Sequence, residues 1–295
     1  MTAYLNDGSE ELPKLRVYLN ADNLEDPPEG AAWPGPEGPA AAERLRRDGF
    51  EGIQIGNSDT LAAEDAGDLP YCGLDRVDSP GHADEVFARH VSRGDNCLTL
   101  HVGTGMEDDD AVDRLLEAVL AAADKHRLPA FVETHRATIT QDLWRTVRMT
   151  DRFPEIRFNG DFSHFYCGQE LVYGDFEAKL DFLAPVFERV GFLHGRIAAP
   201  GFMQAPIESI DAKPRMAVGV DYLAHFKEIW RRAMRGFQAN AGPGDVLVFA
   251  PELLRSDIYY ARVFPDADGR LREESDRYRE ALLYAELARR LFAGA

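Results

Sequence analysis

The chain is predicted to be an α/β protein folded as a single-domain (β/α)8 barrel over residues 1–295, on three observations. Short apolar runs of strand length alternate with longer stretches in which apolar residues recur every three or four positions, as repeated βα units require. About eight such units can be marked, the number that closes a barrel. A chain of 295 residues, 45% of them hydrophobic, suits a barrel of about 250 residues with two long connections. Two ordinary domains would also fit that length, but no linker divides the sequence.

In order, the candidate strands are 15–20, 52–56, 69–74, 97–102, 130–133, 156–161, 192–197 and 246–250. Helical periodicity is clearest over 109–126, 140–152, 175–189, 222–239 and 273–292, with charges between the apolar positions. Thr140 is expected to cap the second of these, with Leu143 and Val147 turned inward and Trp144 packed on the barrel. Arg231, Arg232 and Arg235 lie among acids and read as a solvated face. Leu282, Leu283, Leu287 and Leu291 on the last helix suit packing on the barrel or contact with a second copy, which leaves a homo-oligomer open. The connections 26–39 and 198–217 are long and rich in Pro and Gly. Both follow strands, on the face where barrel active sites lie, so rim or lid loops are expected, with Trp33 as a pocket wall or part of a surface loop.

The net charge of -18, from 51 acidic against 33 basic residues, works against binding to nucleic acid or anionic membrane. Residues 1–12 are polar and acidic, unlike a secretory signal, and no apolar stretch reaches about 18 residues, so a soluble cytoplasmic protein is expected. Cys72, Cys97 and Cys167 lie in apolar segments without metal or redox spacing and read as buried thiols.

Four side chains fall at or just after the ends of four successive candidate strands: Glu133 in PAFVETH, Asp161 in RFNGDFSH, His194 in FLHGRI and Glu252 in VFAPELL. A parallel barrel gathers those ends around one axis. Three carboxylates and an imidazole suit one hard to borderline divalent ion, with positions left for substrate oxygens. Each residue also has a plain structural reading, since an acid after a strand is often a helix cap and a lone His often a hydrogen-bonded core residue. It is their common register with the strand ends that favours ligation.

The order Glu, then Asp-x-x-His, then His, then Glu resembles the xylose isomerase-like TIM barrels, a superfamily of sugar isomerases and epimerases that also contains dehydratases and endonuclease IV. GFEGIQIG (49–56) and LTLHVGTG (98–105) resemble two further strands of that family, and the likeness in βα spacing spans nearly the whole chain. The resemblance implies that Glu133, Asp161, His194 and Glu252 bind one divalent ion, Mn²⁺ first among Mg²⁺, Co²⁺ and Zn²⁺, and that both glutamates act as acid and base. It implies a small carbohydrate-like substrate, isomerised or epimerised through a metal-bound enediolate. His164 matches a histidine that contacts a substrate oxygen, and His101 a pocket histidine, with Gly103 and Gly105 loosening the turn behind it. The GTG motif alone is a weak phosphate signal.

Strand alternation turns Arg196 to the side of His194, where the family often has an acid, so it can hold a substrate hydroxyl, carboxylate or phosphate or make a rim salt bridge. It also weakens any reading with a second metal there. The same alternation turns His135 toward the lumen, as a substrate contact, a partner of a ligand or a structural hydrogen bond. Phe162, Phe165, Tyr166 and the pair Tyr259 and Tyr260 are candidate pocket walls. The alternatives are a dehydratase or lyase of a keto-sugar or keto-inositol, and a barrel without activity. The acidic charge and the shortage of further ligands disfavour a nuclease.

Overall fold

The structure, a computed structural model, describes residues 4–33, 35, 37–56, 61–211 and 220–295. A short strand β1 (Leu5–Asn6) is followed by eight parallel strands: β2 (Lys14–Asn20), β3 (Gly52–Ile55), β4 (Tyr71–Val77), β5 (Leu98–Val102), β6 (Ala130–Glu133), β7 (Phe158–Asn159), β8 (Val190–Gly195) and β9 (Asp245–Pro251). Each bonds to the next, and β9 bonds to β2 as well as β8, so the barrel closes and none of these eight strands is left as an edge. β1 runs antiparallel to the start of β9. All eight predicted strands are present, the sixth shortened to Phe158–Asn159 by a register irregularity against β8.

The helices around the barrel are α1 (Pro39–Arg47), α2 (Ala83–Arg93), α3 (Asp109–His126), α4 (Leu143–Arg152), α5 (Phe162–Gly168), α6 (Phe176–Phe182), α7 (Ala184–Phe187), α8 (Tyr222–Asn240) and α9 (Arg277–Ala293). α3 matches its predicted span, and α1, α2 and α5 are additions to the sequence reading. The expected helix over 175–189 is two, because Pro185 sits in the first turn of α7 and cannot supply the amide that would continue α6. Asp142, not Thr140, caps α4, accepting from the Arg145 amide at 2.8 Å. A hairpin, β10 (Val263–Pro265) with β11 (Leu271–Glu273), separates β9 from α9.

Alternation along the strands builds two layers inside the barrel. The lower layer is apolar, with Tyr18, Cys72, Cys97, Phe131, Phe192, Val248 and Ala250 among its members. Two residues further along, the same face carries Asn20 after Tyr18, Thr99 after Cys97, Glu133 after Phe131, His194 after Phe192 and Glu252 after Ala250, all buried. The polar site thus stands on an apolar plug at the C-terminal ends of the strands, where barrels of this class place their chemistry.

Several peripheral expectations change. Trp33 is only 2% exposed and packs on Tyr278 of α9 with ring centroids 4.8 Å apart, so it anchors its loop to the helical shell. Trp144 is 57% exposed with Arg148 stacked on it, because its position on α4 faces away from the barrel. In the second long connection, Gln204 exchanges hydrogen bonds with the backbone of Leu254, and Ile207 donates to Glu280 on α9, which ties the described part down; 212–217 lies outside the described residues. Leu282, Leu283, Leu287 and Leu291 all pack against the core. Cys72 and Cys97 are buried free thiols, whereas Cys167 is half-buried.

Candidate metal centre

Strand ends converge to bring together the four residues singled out from the sequence. Ligand atoms of Glu133, Asp161, His194 and Glu252 all lie within 4.8 Å of one another, and all four residues are buried. His194 is central. Its Nδ1 lies 3.1 Å from Glu252 Oε2, 3.5 Å from Glu133 Oε2 and 3.9 Å from Asp161 Oδ2.

A layer of amides and hydroxyls holds this arrangement. Thr99 Oγ1 accepts from Gln54 Nε2 at 2.8 Å, which turns Gln54 Oε1 toward His194 Nε2, 2.9 Å away. With a proton on Nε2 donated to Gln54, Nδ1 faces the carboxylates, donating to Glu252 when the ring is charged and offering a lone pair to a cation when it is neutral. Asn20 Nδ2 donates to both Gln54 Oε1 and Glu252 Oε1, at 2.9 and 3.2 Å, and Asn159 Nδ2 donates to Glu133 Oε2 at 3.1 Å. Asn20, Gln54, Thr99 and Asn159 were not singled out from the sequence, although a polar residue near the end of an otherwise apolar strand is their common signal.

Asp161 serves two ends at once. Its Oδ1 caps α5, accepting from the Ser163 amide and hydroxyl, which is the structural reading of an acid after a strand. Its Oδ2 faces the cluster, buried, and receives no hydrogen bond among the described residues. That oxygen, which meets an ion-pair partner but no hydrogen bond among the described residues, lies with two further carboxylates and an imidazole in a group of ligand atoms close enough to suit a divalent cation.

Arg196 enters the same chamber. Its Nη1 is 3.1 Å from Asp161 Oδ2, its Nη2 bonds Glu252 Oε2 and its Nε donates to the Glu252 carbonyl at 2.9 Å. It is 1% exposed, so the rim salt bridge envisaged from the sequence is instead a buried one made to the candidate ligands themselves. The Tyr260 ring stands 4.6 Å from the guanidinium carbon, whereas Tyr259 is 92% exposed. Phe162, Phe165 and Tyr166 are buried in the hydrophobic core between barrel and helices.

Three histidines form a row beside Glu133. His101 Nε2 is 3.0 Å from Glu133 Oε1, His101 and His135 have ring centroids 4.5 Å apart, and His135 and His164 3.9 Å. His164 Nε2 is 3.5 Å from Asp161 Oδ2 and its Nδ1 is buried without a partner among the described residues. His135 Nδ1 accepts from the Ala137 amide at 3.1 Å. Behind His101, Gly103 and Gly105 both take positive φ, and the amides of Thr104 and Gly105 are bound by the Glu107 carboxylate at 2.7 and 2.8 Å. An internal acid thus fills the turn of the GTG motif.

Charge explains the protonation pattern. Burial opposes ionisation of Glu133, yet His101 and His194 outweigh it and hold the carboxyl well below the usual range. Burial also lifts Asp161 to about 6, against Arg196 and with help from Glu252 and Glu133. For His194 burial favours the neutral ring, but Glu252 and Glu133 raise it to about 9. Burial brings His135 down to about 4 against the pull of Glu133, and burial with His135 beside it keeps His164 neutral. Asp22, on the turn after β2, is pushed up to about 7 by burial and by Glu252.

No protein-family model matches the chain, and no curated protein matches it. Solved structures do. A probable 3-DHS dehydratase, AsbF, involved in petrobactin synthesis in Bacillus anthracis, aligns over 83% of this chain and 94% of its own at 12% identity, with a TM-score of 0.53. A xylose isomerase-like TIM barrel protein from Mycobacterium smegmatis, in complex with magnesium, aligns over 97% of each chain at 13% identity, with a TM-score of 0.51. A closed eight-stranded parallel barrel with helices around it makes this chain a TIM barrel, similar in fold to these two structures.

Proposed function

We propose that the chain is an enzyme that uses one divalent ion, Mn²⁺ or Mg²⁺, to isomerise or epimerise a small sugar or related polyhydroxy keto compound. The observation that carries this reading is that two buried glutamates, from strands three places apart around the barrel, face one cluster with Asp161 and His194. When bound, the ion supplies Lewis acidity to a carbonyl and its neighbouring hydroxyl. Glu133 or Glu252, as carboxylate, would then take the proton from the hydroxyl-bearing carbon, and the other, protonated from solvent, would deliver a proton of its own on the opposite face, so that one glutamate ends protonated and the other ionised. The low pull of Glu133 on protons keeps it ionised before the reaction. Gln54 and Asn20 orient His194 and Glu252, and the apolar plug beneath keeps the chamber closed to water from below. His164, whose buried Nδ1 has no partner among the described residues, His135, His101 and Arg196 are the proposed substrate contacts.

A second reading shares the site. His101 on Glu133 Oε1 places an imidazole proton beside the base, where it can serve a departing hydroxyl, so a dehydratase acting on a keto-sugar or keto-inositol is the alternative. The test is incubation with a panel of ketoses and inososes in deuterium oxide, with mass analysis. Isomerisation adds one deuteron, and elimination also removes water. Glu133→Gln and Glu252→Gln are each expected to lower carbon-bound exchange at least about 100-fold; exchange at the wild-type rate in either variant overturns the two-base reading.

A further inference from the structure

The guanidinium of Arg196 is bound to the very oxygens that a cation would need. Asp161 Oδ2 and Glu252 Oε2 are the atoms that face His194 Nδ1, and they are also the atoms that hold Arg196 Nη1 and Nη2. Arg196 reaches them because it follows His194 by two residues along one face of the chain, and Tyr260 covers its outer side. Three buried carboxylates without a cation would carry a large desolvation cost, and a residue held at 1% exposure among them supplies one permanent positive charge. A divalent ion drawn to these two oxygens would compete with the guanidinium already on them.

We propose that Arg196 is a built-in counter-cation that exchanges with the divalent ion: it holds Asp161 and Glu252 in the metal-free chain and gives up at least one of them on metal binding. The inference rests on the metal-site reading above. Two consequences follow. The metal-free barrel keeps its site assembled, and the ion binds more weakly than three carboxylates and an imidazole alone would hold it, because it must displace an existing partner.

The test is calorimetric titration of MnCl₂ into the full chain stripped with chelator, at one fixed pH, for wild type, Arg196→Gln and Arg196→Met, with melting curves with and without Mn²⁺. Wild type is expected to bind one Mn²⁺, and both variants to bind one at least roughly tenfold more tightly, since a competing unit charge at contact distance is gone. Mn²⁺ is expected to raise the melting temperature of the variants more than that of wild type. Variants that fold only with Mn²⁺ support the exchange equally. Equal or weaker binding by the variants overturns the inference while leaving the metal site in place, as does failure to fold even with Mn²⁺, because the ion would then be unable to replace the guanidinium. Absence of Mn²⁺ binding in all three chains overturns the metal-site reading and the inference with it.

Discussion

Asn159 lies between two candidate ligands and belongs to neither, which makes it a test of how much orientation matters at single-residue scale. Its Nδ2 donates to Glu133 Oε2 and lies 3.2 Å from a ring nitrogen of His194. Partners of this kind fix ligand direction, and their loss commonly costs about 10–100-fold in metal affinity. Asn159→Ala is expected to weaken Mn²⁺ binding by about that factor in the same titration, with the barrel still folded; unchanged affinity would mean that Glu133 and His194 need no outside support. Glu133, Asp161, His194 and Glu252 were legible in the sequence because an ionisable residue at a strand end is conspicuous. Asn20, Gln54 and Asn159 were not, since an amide within an apolar strand has no partner that a linear reading can name. Arg196 was legible as facing the lumen, but its partners, Asp161 and Glu252, come from two other strands.

Elements show where local signals were overruled. α4 begins at its Asp142 cap, while Thr140 gives its hydroxyl to the Glu133 carbonyl at 2.6 Å and accepts from the His135 amide at 2.9 Å. A residue with good capping chemistry is thus used to fix the segment that carries the candidate ligand Glu133. α9 contributes Glu280, 4% exposed, whose Oε1 accepts from the Ile207 amide at 2.8 Å and so clips the connection after β8 to the helical shell. Burial, with little relief from that hydrogen bond, pushes Glu280 up to about 8 from an ordinary 4.5. In that interval the folded chain binds the proton and the unfolded chain does not, so this group's contribution to stability is full below about 4.5 and is lost as pH rises toward about 8. Glu280→Gln keeps the acceptor and removes the charge. It is expected to match wild type at the acid end of the window and to exceed it by about 1–3 kcal/mol at the alkaline end, read as a rise of several degrees in Tm; parallel pH profiles for the two proteins would refute the assignment.

For the whole molecule, 51 acidic residues against 33 basic ones leave a net charge of -18, which compaction must hold together. Surface pairs such as Arg232 with Glu177 and Asp181 relieve this locally, and each is worth little. Raising NaCl to about 0.5 M is expected to increase the Tm by a few degrees, because screening of the excess repulsion outweighs loss of the pairs; a fall in Tm would show that the pairs dominate. The sequence by itself determined the class of fold and which ionisable side chains stand at the strand ends. Strand periodicity is a short-range property, and the ends of parallel strands must meet once the sheet closes. Tertiary structure alone decided who bonds to whom: that Gln54 orients His194, that Asp161 both caps α5 and faces the cluster, and that Arg196 stands where a cation would. These contacts join strands far apart in the chain, and their directions depend on the shear and closure of the barrel, which no local pattern of residues encodes.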